Sequence, residues 1–285
     1  MHFWKYQGAG NDFVMLDQRH QHWLDRNDTS KIAFLCNRHF GIGADGLILL
    51  QTHPDADFEM VYFNADGRES TMCGNGGRCI AAFAKHLGIQ KDIYHFLAID
   101  GPHEARLSKS SGIGEEWVEL KMQDVDEIFS EDSTGQENTE AADHILNTGS
   151  PHFVRFVHSI GGLDVKQQGR AIRYSDKFRQ NGINVNFVEI RPNEELLIRT
   201  YERGVEDETL ACGTGVTASA LSFARKKGVG PGKMEVQVKA LGGDLLVRFT
   251  VHQDGHFSDI WLCGPAKRVF EGTISLSGTN RPTTD

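Results

Sequence analysis

Two cysteines of this chain stand in the same local setting. Cys73 opens the run Cys-Gly-Asn-Gly and Cys212 opens Cys-Gly-Thr-Gly. Helical apolar spacing follows each: Ile80, Phe83, Ala84 and Leu87 after the first, Val216, Ala220, Phe223 and Ala224 after the second. Gly88 and Gly228 supply stop signals for the two helices. The first N–H groups of a helix have no internal partner, and the macrodipole places partial positive charge there. Glycines let a carboxylate or phosphate come close to those N–H groups. A cysteine at the same place feels that field, which favours its thiolate.

A single such turn is as well explained by a buried structural cysteine. Two at matching positions point to paired thiols. A helix terminus contributes roughly 0.3–2 kcal/mol, against about 1.36 kcal/mol per pH unit of titration, so a thiol near ~8.5 falls to about 7–8. Facing thiols of that kind repel as a dianion and titrate as a coupled pair, which populates one thiolate beside one thiol near neutrality. Stereoinversion at carbon needs that combination: one sulfur removes a proton from one face while the other delivers one to the opposite face. An amino-acid α-proton is far less acidic than a thiol, so the developing charge must be stabilised on the carboxylate in a site closed to water. Two helix N-termini converging on that carboxylate would do so.

The elements around the cysteines predict a duplication. A strand and a short polar turn precede each: Phe63–Met72 before Cys73, Thr200–Ala211 before Cys212. Gly8–Val14 is echoed by Thr148–Val154. A repeated unit of about 120 residues accounts for these matches. The expected fold is α+β (α/β in its layering), with two pseudo-symmetric domains facing each other across a cleft that holds the active site. Each domain is expected to wrap a mixed sheet around a central helix. The N-terminal half should cover 1–120 and carry Cys73, completed by a returning strand near 264–277; the C-terminal half should cover 121–263 and carry Cys212. Strand-like segments rich in Val, Ile, Phe and Tyr dominate elsewhere, and a third helix is expected over Lys31–Arg38.

Composition narrows the remaining classes. With 285 residues, 39% hydrophobic and 24% charged, the chain can bury substantial cores and is neither disordered nor collagen-like. It contains no apolar run long enough to cross a membrane as a helix, and its N-terminus lacks the basic and apolar regions of a signal peptide. A cytoplasmic location, where thiols stay reduced, is therefore expected. The five cysteines are odd in number and include no CxxC pair, which argues against a zinc knuckle or a thioredoxin-like site. The net charge of −9 is mostly local, because eight acids and no Lys or Arg lie between Asp124 and Asp143. That stretch reads as a solvated loop, and the nearly neutral remainder lacks the basic face that nucleic acid requires.

Taken together, the motifs resemble those of diaminopimelate epimerases over nearly the whole chain. They run from K-x-x-G-x-G-N-D-F (Lys5–Phe13), H-F-G-I-G-A-D-G (His39–Gly46) and F-N-A-D-G (Phe63–Gly67) to C-G-N-G-G-R-C (Cys73–Cys79). G-S-P-H-F-V (Gly149–Val154), N-V-N-F-V (Asn184–Val188), Y-E-R-G (Tyr201–Gly204) and A-C-G-T-G (Ala211–Gly215) continue the series. The resemblance implies two pseudo-symmetric domains, a homodimer, and neither pyridoxal phosphate nor metal. It implies interconversion of LL- and meso-2,6-diaminopimelate in lysine and cell-wall precursor synthesis. By that resemblance Cys73 and Cys212 are the base and acid. Gly74, Asn75, Gly213 and Thr214 line the helix starts that receive the reacting carboxylate, and Asn11, Asn64 and Asn184 bind the substrate's zwitterionic ends. Arg203 grips the distal carboxylate as a bidentate fork, His152 lies near the thiols and tunes them, and Glu202 tunes them and binds an amino group. Two positions depart from the family pattern: Ser150 stands where many members have asparagine, and Gly46 where some have glutamine. Cys36, Cys79 and Cys263 are expected to be packing residues. A proline- or hydroxyproline-type racemase of the same fold, a small-ligand binding protein with incidental cysteines, and a redox protein are the alternatives.

Overall fold

The computed structural model describes residues 1–112, 115–131 and 142–275. Most of the acidic stretch (132–141) and the tip of the expected returning strand (276–277) lie outside the described residues. The chain divides into two compact units, Met1–Val118 with Ala266–Asp285, and Glu119–Pro265.

The first unit begins with β1 (His2–Gly8), β2 (Asn11–Asp17), α1 (Thr29–Cys36), β3 (Gly46–Gln51), β4 (Phe58–Asn64) and β5 (Glu69–Ser70). It continues with α2 (Gly74–His86), β6 (Tyr94–Ala98), β7 (Gly101–Gly112) and the start of β8 (Glu115–Lys121). In the second unit come β9 (Phe129–Glu131), β10 (Asp143–Asn147), β11 (Pro151–Phe156), α3 (Val165–Arg173), β12 (Asn184–Ile190), β13 (Leu196–Glu202) and β14 (Asp207–Thr209). Then follow α4 (Gly213–Lys227), β15 (Gly232–Ala240), β16 (Gly243–Val251) and β17 (Phe257–Thr273), which ends in the first unit.

The two units repeat one topology. β1–β2 and β10–β11 are antiparallel; β2–β3 and β11–β12 are parallel; β3–β4 and β12–β13 are antiparallel. β4 then pairs antiparallel with β5 and parallel with β6, as β13 does with β14 and β15. In both cases one long helix packs on successive strands: α2 on β1, β2, β3 and β7, and α4 on β10 to β13, β15 and β16. Thus the α+β expectation holds, with a mixed sheet around a central helix in each unit.

These central helices are buried along most of their length because their sequences are small and apolar, with Ala81, Ala82 and Ala84 in α2 and Ala218, Ala220 and Ala224 in α4 all in the core. Both stop as the glycines predict. Ile89 N–H donates to Ala84 O and Gly88 N–H to Lys85 O; Val229 N–H donates to Ala224 O and Gly228 N–H to Arg225 O. Each ending satisfies carbonyls of the last turn through a left-handed glycine, φ 88° at Gly88 and 64° at Gly228. β3 reads as a continuous apolar run because both faces are covered. Leu47 and Leu49 join Ile32 and Leu35 of α1 in one core cluster, while Ile48 lies against Gly76 of α2.

Two helices differ from the sequence reading. α1 starts and stops two residues earlier than Lys31–Arg38. Asp28 caps its start by accepting from Lys31 N–H, and the Asn37 side chain accepts from His39 and Phe40 N–H, which turns the chain out of the helix. α3 has no counterpart in the sequence reading. Gly169 in its middle weakens the helical signal, yet a Cβ there would lie 2.3 Å from Tyr201 Cβ, so the glycine lets α3 lie close on β13.

Candidate active site

In the first unit the site residues gather at one end of three adjacent strands. Asn11 starts β2, Gly46 starts β3 and Asn64 ends β4, and the register pairs Gly46 with Asn64. α2 begins beside them, because Asn75 Nδ2 lies 3.5 Å from Asn11 Oδ1. Cys73 is the N-cap of α2, and its sulfur accepts from Gly76 N–H at 3.2 Å. Gly76 permits that approach: a Cβ there would sit 3.1 Å from Cys73 Sγ and 3.2 Å from Ile48 and Met60. The buried Arg78 donates to Asn75 Oδ1 at 2.8 Å and holds the amide at the helix start.

Asn11 is held in turn by a charged network that sequence reasoning did not assign. Asn11 Nδ2 donates to Asp45 Oδ2 at 2.7 Å, and Asp12 and Asp45 each accept from the other's N–H. Arg38 pairs with both carboxylates, and Lys5 bridges Asp12 and Gly43 O. Burial disfavours the charge on Asp12, but hydrogen bonds from Arg38 and Lys5 outweigh it and hold the carboxyl well below the usual range. Gly46 has no room for a side chain, since a Cβ would lie 2.6 Å from Phe63 O. Asn64 is exposed at the strand end.

In the second unit the groups beside the cysteine are neutral. Cys212 is the N-cap of α4, buried at 8% exposure, with Thr214 Oγ1 3.4 Å from its sulfur. Thr214 Oγ1 lies 2.9 Å from His152 Nε2 and 3.1 Å from Ser150 Oγ, and Ser150 Oγ lies 3.0 Å from His152 Nε2. Asn184 donates to Ser150 Oγ and to Pro151 O, while its own Oδ1 accepts from Arg203 N–H. His152 is fully buried. Burial, helped by the Arg203 charge and opposed by the Asn186 hydrogen bond, pushes it down to about 3, so the imidazole is neutral. It acts on its neighbours through hydrogen bonds rather than charge.

β13 places Glu202 and Arg203 differently from each other. The Glu202 carboxylate accepts from Thr209 at 2.8 Å; burial raises its carboxyl above the ordinary value, and the Thr209 bond opposes that. Arg203 is exposed and its Nη1 donates to Asn181 O at 3.1 Å. The remaining cysteines are core residues, as expected: Cys36, Cys79 and Cys263 are buried, and burial raises the Cys36 thiol to about 12. Ser150, Asn186 and Asp45 are the neighbours that hold the assigned residues. Asn186 was foreshadowed in N-V-N, since residues two apart on a strand share a face. Among the described residues no group of three or more His, Cys, Asp or Glu side chains could hold a metal ion.

The same fold occurs in several solved structures. A Bacillus anthracis phenazine biosynthesis protein of the PhzF family superposes with a TM-score of 0.75 at 14% identity, covering 97% of this chain and 99% of that one. A hydroxyproline epimerase from Agrobacterium vitis, with bound trans-4-OH-L-proline, superposes with a TM-score of 0.63 at 15% identity, covering 97% and 92%. These define the class as a duplicated α+β fold. Sequence goes further. The family model described as diaminopimelate epimerase matches residues 3–112 and 144–269. The diaminopimelate epimerase of Flavobacterium psychrophilum is 47% identical over 96% of this chain and 100% of its own length. That of Chlorobaculum tepidum is 44% identical over 94% and 99%. The chain belongs to the diaminopimelate epimerase family.

Proposed function

We propose that this protein interconverts LL- and meso-2,6-diaminopimelate without pyridoxal phosphate or metal, as a cytoplasmic homodimer serving lysine and peptidoglycan precursor synthesis. The observation that carries the reading is the duplicated placement of the two thiols. Each caps the central helix of its unit, in a chain that matches the family across nearly its full length. No described helix is long and apolar enough to cross a membrane.

The chemistry requires Cys73 and Cys212 on opposite faces of one α-carbon. One thiolate takes the α-proton and leaves the bonding electrons on carbon, delocalised into the carboxylate. The other thiol gives its proton to the opposite face, so the enzyme ends with thiol and thiolate exchanged. The N–H groups of Gly74 and Asn75, and of Gly213 and Thr214, receive the carboxylate where the charge develops. Asn11, Asn64 and Asn184 orient the zwitterionic ends, and Glu202 takes an amino group. Arg203, exposed just after β13, takes the distal carboxylate in this reading.

The test is epimerisation in D2O. Purified protein with LL-diaminopimelate and no added cofactor is expected to yield meso product carrying deuterium at the inverted carbon, read by chiral chromatography and mass spectrometry. Turnover only after pyridoxal phosphate is added would overturn the reading. So would faster turnover of proline or trans-4-hydroxyproline than of diaminopimelate.

A further inference from the structure

The hydrogen-bond directions around His152 can be assigned from groups whose roles are fixed. Asn186 Nδ2 lies 3.0 Å from Phe153 O, a carbonyl that can only accept, so that atom is the amide nitrogen. Asn186 Oδ1 is occupied as an acceptor by Thr200 Oγ1 at 3.0 Å. The second hydrogen on Asn186 Nδ2 therefore points at His152 Nδ1, 3.0 Å away, and Nδ1 must accept it. Turning the amide over would set Oδ1 against Phe153 O and leave a buried carbonyl without its donor, an expensive arrangement. A neutral imidazole that accepts at Nδ1 carries its proton on Nε2.

The remaining directions follow by the same reasoning. Nε2–H donates to the Thr214 and Ser150 hydroxyls, 2.9 and 3.0 Å away. Ser150 Oγ also accepts from Asn184 Nδ2, whose orientation Pro151 O fixes. Ser150 O–H then points to Thr214 Oγ1. With those donors facing it, the Thr214 hydroxyl aims its own hydrogen at Cys212 Sγ. We infer that Asn186 is a positioning residue that fixes the Nε2–H tautomer of His152, so that Thr214 and Ser150 form a one-way hydroxyl relay donating to the Cys212 sulfur.

The relay favours the thiolate of Cys212, since a hydrogen bond to a charged group is stronger than one to a neutral group. Cys73 receives its bond from the Gly76 N–H instead, a donor that no side-chain tautomer can redirect. Arg203 is the charge whose field reaches His152, and α4 has no acid in its first turn. The relay matters for turnover only if Cys212 is one of the acid–base pair proposed above, but its existence can be read without turnover.

Asn186→Asp keeps the shape and replaces the donor facing Nδ1 by an acceptor, which draws the imidazole proton to Nδ1. Nε2 then accepts from Thr214, and the hydroxyl turns away from Cys212. The experiment is iodoacetamide alkylation of the whole protein against pH, with Cys212 and Cys73 peptides followed separately by mass spectrometry. Thiolate formation at Cys212 is expected to move up by about one pH unit in Asn186→Asp and in Thr214→Val, about a tenfold fall in alkylation rate below the midpoint. The Cys73 profile should not move up with it; as the other member of a coupled pair it stays or moves down, which separates the relay from a general loss of thiol reactivity. Imidazole 15N NMR of the wild-type protein is expected to show His152 protonated on Nε2, a measurement that needs no variant to fold. An Nδ1–H signal in the wild type, or unchanged Cys212 profiles in folded variants, would overturn the inference. Absence of epimerase activity would overturn the functional reading and leave this one standing.

Discussion

Holding His152 neutral gives its imidazole a large share in acid stability. Its folded pKa of about 3 lies far below the ordinary histidine value, so as pH falls the unfolded chain takes the proton first. The contribution is fully present above about pH 6.5 and is lost progressively as pH drops toward the folded value. Each pH unit in that window is worth about 1.36 kcal/mol, so the fall from pH 6.5 to 5 removes about 2 kcal/mol through His152 alone. His144, lowered to about 4 mainly by burial, adds a loss of the same sign. Glu202, with its carboxyl raised by burial, opposes them, because its folded form takes up a proton before the unfolded chain does. The depressed carboxyls of Asp12 and Asp17 weigh in mainly below about pH 4. Urea denaturation followed by circular dichroism from pH 7.5 to 5 reads the effect. His152→Gln is expected to lose about 2 kcal/mol less than the wild type between pH 6.5 and 5, whatever its stability at neutral pH. Parallel curves for the two proteins would show that His152 is not kept neutral by the fold and would refute the reasoning.

Cys73→Ala and Cys212→Ala should each lose epimerisation by about 10²–10⁴-fold or more in both directions, since each direction needs one base and one acid. The double variant should be little worse than either single one, which steady-state rates from both stereoisomers would show. Gly215→Ala gains about 1 kcal/mol of helix propensity, yet its Cβ would lie 2.4 Å from Asn186 Oδ1. Crowding of about 1–3 kcal/mol should win, giving a lower Tm by calorimetry.

Much of this was legible in the residues. The two central helices, their cysteine starts and their glycine stops were legible because capping chemistry is local and leaves its signature within a few positions. The repeat was legible because the same signature occurs twice. α3 was not, because its central glycine reads as a breaker until the contact with Tyr201 is seen. The bidentate role expected of Arg203 said nothing of its burial; the side chain is exposed, so its attraction for a carboxylate is screened by water. The network of Lys5, Asp12, Arg38 and Asp45 and the role of Asn186 depend on strand register. Asp45 meets Asn11 because β2 and β3 pair in parallel with Phe13 beside Gly46, a relation no window of sequence displays.

β17 carries a consequence for the newborn chain. Its first half pairs with β16, Val251 facing Phe257, while its second half pairs with β1, His2 facing Thr273. The ladder beside β1 cannot form until nearly the last residue of that strand has left the ribosome. Translation therefore completes the ladders of the second unit up to β16 before it can finish the first, inverting the usual N-terminal-first order. Ordering so distant a pair also raises the entropy lost on closure, so sealing the first unit is a late step of synthesis.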